Sequence, residues 1–143
     1  MTTNLSVQLT EGLAAMGIAM SPQQREKLLA YVALLLKWNK TYSLTAIREP
    51  ERMVAHHLLD SLAPLPYFPE FAERVLDVGS GFGTPGIPLA IAKPEWQLVL
   101  LDSNSKKTSF LRQVLLELQL PNVQIVTERV ERYAPDFLFQ VIT

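Results

Sequence analysis

"VLDVGSGFGTPGIPLA", residues 75–90, places four glycines within eight positions, between an apolar run and a segment of helical character. Glycines this dense let a backbone turn sharply and approach something closely. The run before them, "RVLDVG" (residues 74–79), is short, apolar and stopped by glycine, which is the pattern of a buried strand. After Pro85 or Gly86, "GIPLAIAKP" opens a helix. Further on, "QLVLL" (97–101) reads as a second strand and "NSKKTSFLRQVLLELQL" as a helix, apolar at Phe110, Leu111, Val114, Leu115 and Leu118. Pro121 lies just past that helix, "NVQIVTE" is a third strand, and residues 129–133 form a short turn or helix. "FLFQVIT" (137–143) is a fourth strand, expected beside the first, where strand order reverses.

Strand alternating with helix is the signature of a parallel sheet with helices on both faces, an α/β fold of Rossmann-like type. One βαβαβ half is complete and the second has barely begun. Residues 67–143 are therefore expected to be the first part of such a domain, with strands 1–4. Residues 1–66 read as a helical N-terminal extension packed onto it. Leu5, Leu9, Leu13 and Met16 have helical spacing, and Gly17 is a stop. Ser21, Pro22 and Gln24 then form a capping box before an apolar face of Leu28, Tyr31, Val32, Leu35 and Leu36, ending near Lys40. "PERMVAHHLLDSLA" is a third helix that opens at Pro50, closed by Pro64 and Pro66.

The 143 residues suffice for one domain with a real core, and a chain that is 48% hydrophobic and 19% charged is a folded one. A net charge of −1 gives no global signal for nucleic acid, although a local basic patch fits within a neutral total. The absence of cysteine excludes disulfides, thiolate zinc sites and cysteine nucleophiles, and a cytoplasmic setting fits it. "MTTNLSVQLT" has no basic region ahead of an apolar stretch, so it is no signal peptide. The longest apolar run, residues 28–36, is too short to span a bilayer.

The glycine turn reads in two registers. From Gly81, "GFGTPG" is a literal dinucleotide fingerprint, with Asp102 following 21 residues later, as for a ribose contact. That register predicts an NAD-dependent oxidoreductase. From Gly79 the pattern is G-x-G-x-G, with Asp77 two residues earlier. The second register is physically better. A carboxylate beside a pyrophosphate is repulsive, whereas beside a cationic ligand it is favourable. S-adenosylmethionine is such a ligand: it carries a sulfonium, an ammonium and a ribose, and no phosphate. The turn, at Gly79, Gly81, Phe82, Gly83 and Thr84, would admit its methionyl part, with Asp77 facing the positive end directly or through water. Asp102 would accept from the ribose hydroxyls. A polar contact in "ERVE" (128–131) could fix the adenine edge. A purely structural role for the turn, a helix-capping role for Asp77, and a capping role for Asp102 with Ser103 are the competing readings.

Together, "LDVGSGFGTPGIPLAI", "LLDSNSKKTSFLRQV" and "ERVERY" resemble the glucose-inhibited division protein B family, bacterial methyltransferases acting on N7 of a guanine in small-subunit (16S) ribosomal RNA. "KWNKTYSLT" and "HLLDSL" match that family's N-terminal segments at the right spacing, with Ser43 where asparagine is usual. The resemblance covers nearly the whole chain. It implies S-adenosylmethionine as cofactor, with Gly79 and Thr84 in the turn, Asp102 and Ser103 at the ribose end, and Val130 and Glu131 on the adenine side. It also implies further strands and a serine-arginine-alanine segment beyond Thr143. The chain is accordingly expected to be a fragment, binding cofactor weakly or inactive, and self-associating through the free edge of its last strand. A non-catalytic module that binds RNA or protein is a further alternative.

Guanine N7 has an in-plane lone pair and no proton, so its methylation needs no general base. No catalytic acid or base and no metal ligand is expected in this chain. His57 reads either as an RNA or active-site contact or, twice as readily, as a hydrogen-bonded packing residue. Trp38 and Tyr42 could stack on bases, but their helical spacing favours packing. Lys37, Lys40, Arg48, Arg52, Lys106 and Lys107 are candidates for phosphate contacts.

Overall fold

The computed structural model describes residues 2–69, 72–135 and 139–143. Helix α1 (Thr2–Ala15) ends at Gly17, whose φ of 69° only glycine adopts freely. Helix α2 (Pro22–Tyr42) opens on the expected capping box: Ser21 Oγ accepts from the Gln24 amide, and the Gln24 side chain accepts from the Ser21 amide. It runs two residues past Lys40 and closes on Ser43 in the left-handed region. Helix α3 has three parts. It is α-helical over Pro50–Met53, widens into π geometry over Val54–Leu59, and returns to α over Asp60–Leu62. The Asp60 amide then donates to the carbonyl of Ala55 rather than to that of His56.

The sheet follows. β1 (Arg74–Val78), α4 (Gly86–Ala92), β2 (Gln97–Asp102), α5 (Ser105–Leu118) and β3 (Val123–Thr127) alternate as expected. β4 (Val141–Ile142) is shorter than the fourth strand read from "FLFQVIT", of which residues 137 and 138 lie outside the described residues. All pairs are parallel, in the order β3-β2-β1-β4. Val75 and Leu76 of β1 face Val141 and Ile142, which puts the fourth strand where reversal was expected.

Among the described residues, the helices that meet the sheet gather on one face, not two. The chain steps from β1 to β2 and from β2 to β3 in one direction, and crossovers of one hand put α4 and α5 on the same side. There Val75, Leu98 and Leu100 share a core with Ile87 of α4, Phe110 and Val114 of α5, Leu28, Tyr31 and Leu35 of α2, and Met53 and Leu58 of α3. Leu76, Val99 and Leu101 point to the other face, where the return toward β4 brings Tyr133 and Phe139. Each fully buried large aliphatic side chain is worth about 1.5–3 kcal/mol, so helices α2 and α3 and the sheet stabilise one another through this common core.

Candidate functional site

The carboxyl ends of three neighbouring strands bound a cleft of about 270 Å³. Val78 and Gly79 come from the end of β1, and Leu101, Asp102 and Ser103 from the end of β2. Glu128, Arg129, Val130 and Glu131 come from the segment after β3. Five of the expected residues thus meet on one wall: Gly79, Asp102, Ser103, Val130 and Glu131. Val130 is 50% exposed and offers an apolar surface there. The charged groups of the wall are three carboxylates and one guanidinium, and Arg129 stands 3.7 Å from Glu131.

Four amides of the glycine turn are bonded within the protein. Gly79 and Ser80 both donate to the carbonyl of Leu101, at 2.8 and 3.1 Å. Gly81 donates to Asp102 Oδ2 at 2.8 Å, and Gly83 to the carbonyl of Ser80 at 2.8 Å. At the start of α4, Gly86 donates to Asp77 Oδ2 at 3.0 Å and Ile87 to the carbonyl of Gly83 at 2.6 Å, while Pro85 and Pro88 have no amide hydrogen. A dinucleotide fingerprint turns backbone donors of this turn and helix start toward a pyrophosphate; the six named here are bonded within the protein instead.

Asp77 does not line the cleft. It is 2% exposed and lies beneath the turn, with Oδ2 on the Gly86 amide and Oδ1 accepting from the Thr143 hydroxyl at 3.1 Å. Burial pushes its carboxyl up to about 6, and its hydrogen bonds offset only part of that. Asp102 is half-buried and faces the cleft. Its Oδ1 accepts from the Asn104 amide and its Oδ2 from Gly81, both at 2.8 Å, which leaves a carboxylate with unused lone pairs. Asn104 in turn caps α5 through the amides of Lys106 and Lys107.

Phe82, Gly83 and Thr84 lie on the helical side of the turn. The ring of Phe82 packs on His57 with centroids 4.6 Å apart, and its carbonyl accepts from Tyr31 Oη at 2.8 Å. Gly83 has φ +113°, and a Cβ there would stand 2.7 Å from Ile87 and 3.2 Å from Tyr31 Oη. His57 is buried, pairs through Nε2 with Thr45 Oγ1 at 3.0 Å, and gives its carbonyl to Ser61 Oγ at 2.7 Å. Burial holds the imidazole below its usual range. Burial, helped by the charge of Asp77, holds the Tyr31 phenol well above its own, so it stays a donor. Tyr31 carries no separate signal in the sequence, where it is one apolar position among several. The only hint is a hydroxyl on an otherwise aliphatic face.

Trp38 packs between Tyr42 and Phe110, at 5.3 and 5.5 Å. Arg52 pairs with Glu49 at 2.8 Å, whereas Lys40 and Arg48 share a separate cavity with Leu36, Asn39 and Ser43. Among the described residues there is no metal-ligating cluster and no helix long and apolar enough to cross a membrane.

A family model described as rRNA small subunit methyltransferase G (GidB) matches residues 24–143. Over 138 residues the chain is 58% identical to a protein of Chromobacterium violaceum named ribosomal RNA small subunit methyltransferase G, covering 96% of this chain and 66% of that one. A protein of the same name from Laribacter hongkongensis is 54% identical, over 98% of this chain and 67% of its own length. Another, from Neisseria gonorrhoeae, is 58% identical, over 87% and 59%. The chain spans about two thirds or less of the length of these curated relatives.

Proposed function

The chain belongs to the GidB family, that of rRNA small subunit methyltransferase G, and from that premise we propose that it takes part in S-adenosylmethionine-dependent methylation of N7 of a guanine in 16S ribosomal RNA. The substrate would be met within the small ribosomal subunit, in the cytoplasm. The observation that carries the reading is the pairing of an outward carboxylate, Asp102, with a glycine turn whose Gly79, Ser80, Gly81 and Gly83 amides are bonded within the protein. Such a wall accepts a diol and a cation and offers little to a diphosphate.

The residues present fit this cofactor. Asp102 would take the ribose hydroxyls, with Ser103 beside it. Gly79, lacking a side chain, would let the methionyl part reach the strand ends, and Gly81, Phe82, Gly83 and Thr84 would shape the turn around it. Val130 would cover the adenine, with Glu131 at its polar edge. Asp77 would serve from beneath, by holding the Gly86 amide and the start of α4. When bound, the cofactor supplies an electrophilic methyl on a sulfonium. Guanine N7 presents a lone pair without a proton, so the protein's task is alignment and exclusion of water rather than proton removal. The three buried titratable groups behind the turn support this division, because Asp77, His57 and Tyr31 are all engaged with protein partners.

Calorimetry with S-adenosylmethionine, S-adenosylhomocysteine and NAD tests the reading. Binding of the first two and none of NAD is expected; the reverse returns the turn to the dinucleotide register. Methyl transfer from labelled cofactor to small-subunit RNA, with nucleoside analysis, tests the target. Label in any nucleoside other than 7-methylguanosine overturns the N7 assignment. Cofactor binding with no transfer in either this chain or its longer relatives would favour a binding module.

A further inference from the structure

Building on that reading of the cleft, we propose that Tyr31 is a positioning residue of the cofactor site, which grips the glycine turn at Phe82 together with His57. Tyr31 sits on α2, far in sequence from the turn, and is fully buried. Its ring packs on Phe110 at 6.4 Å, a contact a phenylalanine would make equally well. The hydroxyl is therefore surplus to packing, and burying it is unfavourable unless it is bonded. Its partner is the Phe82 carbonyl, 2.8 Å away.

Phe82 stands between Gly81 and Gly83, both at positive φ, so its neighbours alone leave the turn a wide conformational range. Phe82 is the residue in between with a side chain to hold. Its carbonyl is held by Tyr31 and its ring by His57. His57 is itself braced by Thr45 Oγ1, and the Thr45 amide by Asn39 Oδ1 at 2.8 Å. One residue before Phe82, the Gly81 amide donates to Asp102 Oδ2. A path of adjacent contacts thus runs from α2 and α3 through Phe82 and Gly81 to the carboxylate that faces the cleft. Tyr31 touches neither cofactor nor substrate in this scheme; it acts through the turn.

The test is Tyr31→Phe, read by amide hydrogen exchange and by S-adenosylhomocysteine calorimetry. Exchange at Gly81 and Gly83 should quicken roughly fivefold or more, with the β1 and β2 amides unchanged, and the Kd should rise by a similar factor, as loss of one hydrogen bond implies. Unchanged turn amides, or a uniform rise across the sheet with no local excess, overturn the proposal. Phe82→Ala keeps the carbonyl and removes the ring from His57. It should loosen the same two amides, and it carries the test if Tyr31→Phe fails to fold. If the wild-type chain binds no S-adenosylhomocysteine, the cofactor reading fails, while the exchange measurement still decides whether the turn is gripped.

Discussion

The turn after β1 and the turn after β2 stand on neighbouring parallel strands, reach the same cleft and each carry an aspartate, yet they use it in opposite ways. In the first, Asp77 is swallowed beneath the backbone, and the glycines above it spend their amides on Leu101, Asp102 and Ser80. In the second, Asp102 faces out, and Asn104, two residues on, does the capping instead. The difference lies in the length of the link. Seven residues separate β1 from α4 and must fold back on themselves, so they need an internal anchor. Two separate β2 from α5, and a single side chain closes them. An acid at a strand end is therefore structural or cleft-facing according to what the following turn requires of it.

The largest test of this contrast is Gly86→Val. A Cβ at Gly86 would lie 2.7 Å from Asp77 Oδ2 and 2.8 Å from Leu100 Cγ, both buried. Overpacking at such a site costs about 3 kcal/mol or more once the Asp77 bond is disturbed. The urea midpoint should drop sharply or the chain should fail to fold. Ser103→Ala, on the exposed second turn, should stay within about 0.5 kcal/mol of wild type. Equal effects would erase the distinction.

Asp77→Asn comes next, and its signature is pH. The folded-state value of about 6 lies above the ordinary 3.8. Between those values the native state holds the proton more tightly than the unfolded chain, so this group's contribution to stability falls as pH rises and is lost above about 6. At ~1.4 kcal/mol per pH unit, wild type should lose roughly 2.5 kcal/mol between pH 4 and 7 that Asp77→Asn does not. Paired urea titrations at the two pH values isolate that difference from the other carboxylates. Parallel pH profiles would mean that the carboxyl is not buried as described.

Much of this was readable in the chain. The glycine turn announces a strand-to-helix reversal, and Ser21 with Gln24 announces the start of α2, because both are local chemistry within eight residues or fewer. Asp102 is legible as a cleft residue from its place at the end of the second strand and its spacing of 21 residues after Gly81. The inward bonds of Asp77 were not readable, because they depend on Gly86 closing over it and on Thr143 arriving beside β1. The hold on Phe82 was equally hidden: Tyr31 is 51 residues away, and its spacing on α2 looks like that of any core residue. The gathering of α4 and α5 on one face follows from strand order, which alternation of elements does not specify. The widened turn in α3 is the run "VAHHLL" itself, with no glycine or proline to mark it.

Asp102→Asn sharpens the contrast from the ligand side. The amide oxygen retains one backbone bond, but the charge offered to the cleft is gone. Charge-assisted hydrogen bonds are worth about 1.5–3 kcal/mol, so the Kd for S-adenosylhomocysteine should rise roughly tenfold or more. An unaltered affinity in Asp102→Asn would remove the cofactor from this wall.

Asn104→Ala is the smallest effect and the one that dissects the second turn. Asn104 Oδ1 accepts from the Lys106 and Lys107 amides at 3.0 and 3.2 Å, and losing such a cap costs about 1 kcal/mol. The bond from the Asn104 amide to Asp102 Oδ1 belongs to the backbone and survives the substitution. Stability should therefore fall by that amount while cofactor affinity holds, the mirror image of Asp102→Asn. In the first turn no such separation is available, because Asp77 anchors the same loop that borders the cleft. If Asn104→Ala weakened binding as much as it weakened folding, the second turn would be as interlocked as the first. The shortness of its link would then explain nothing about why its acid faces out.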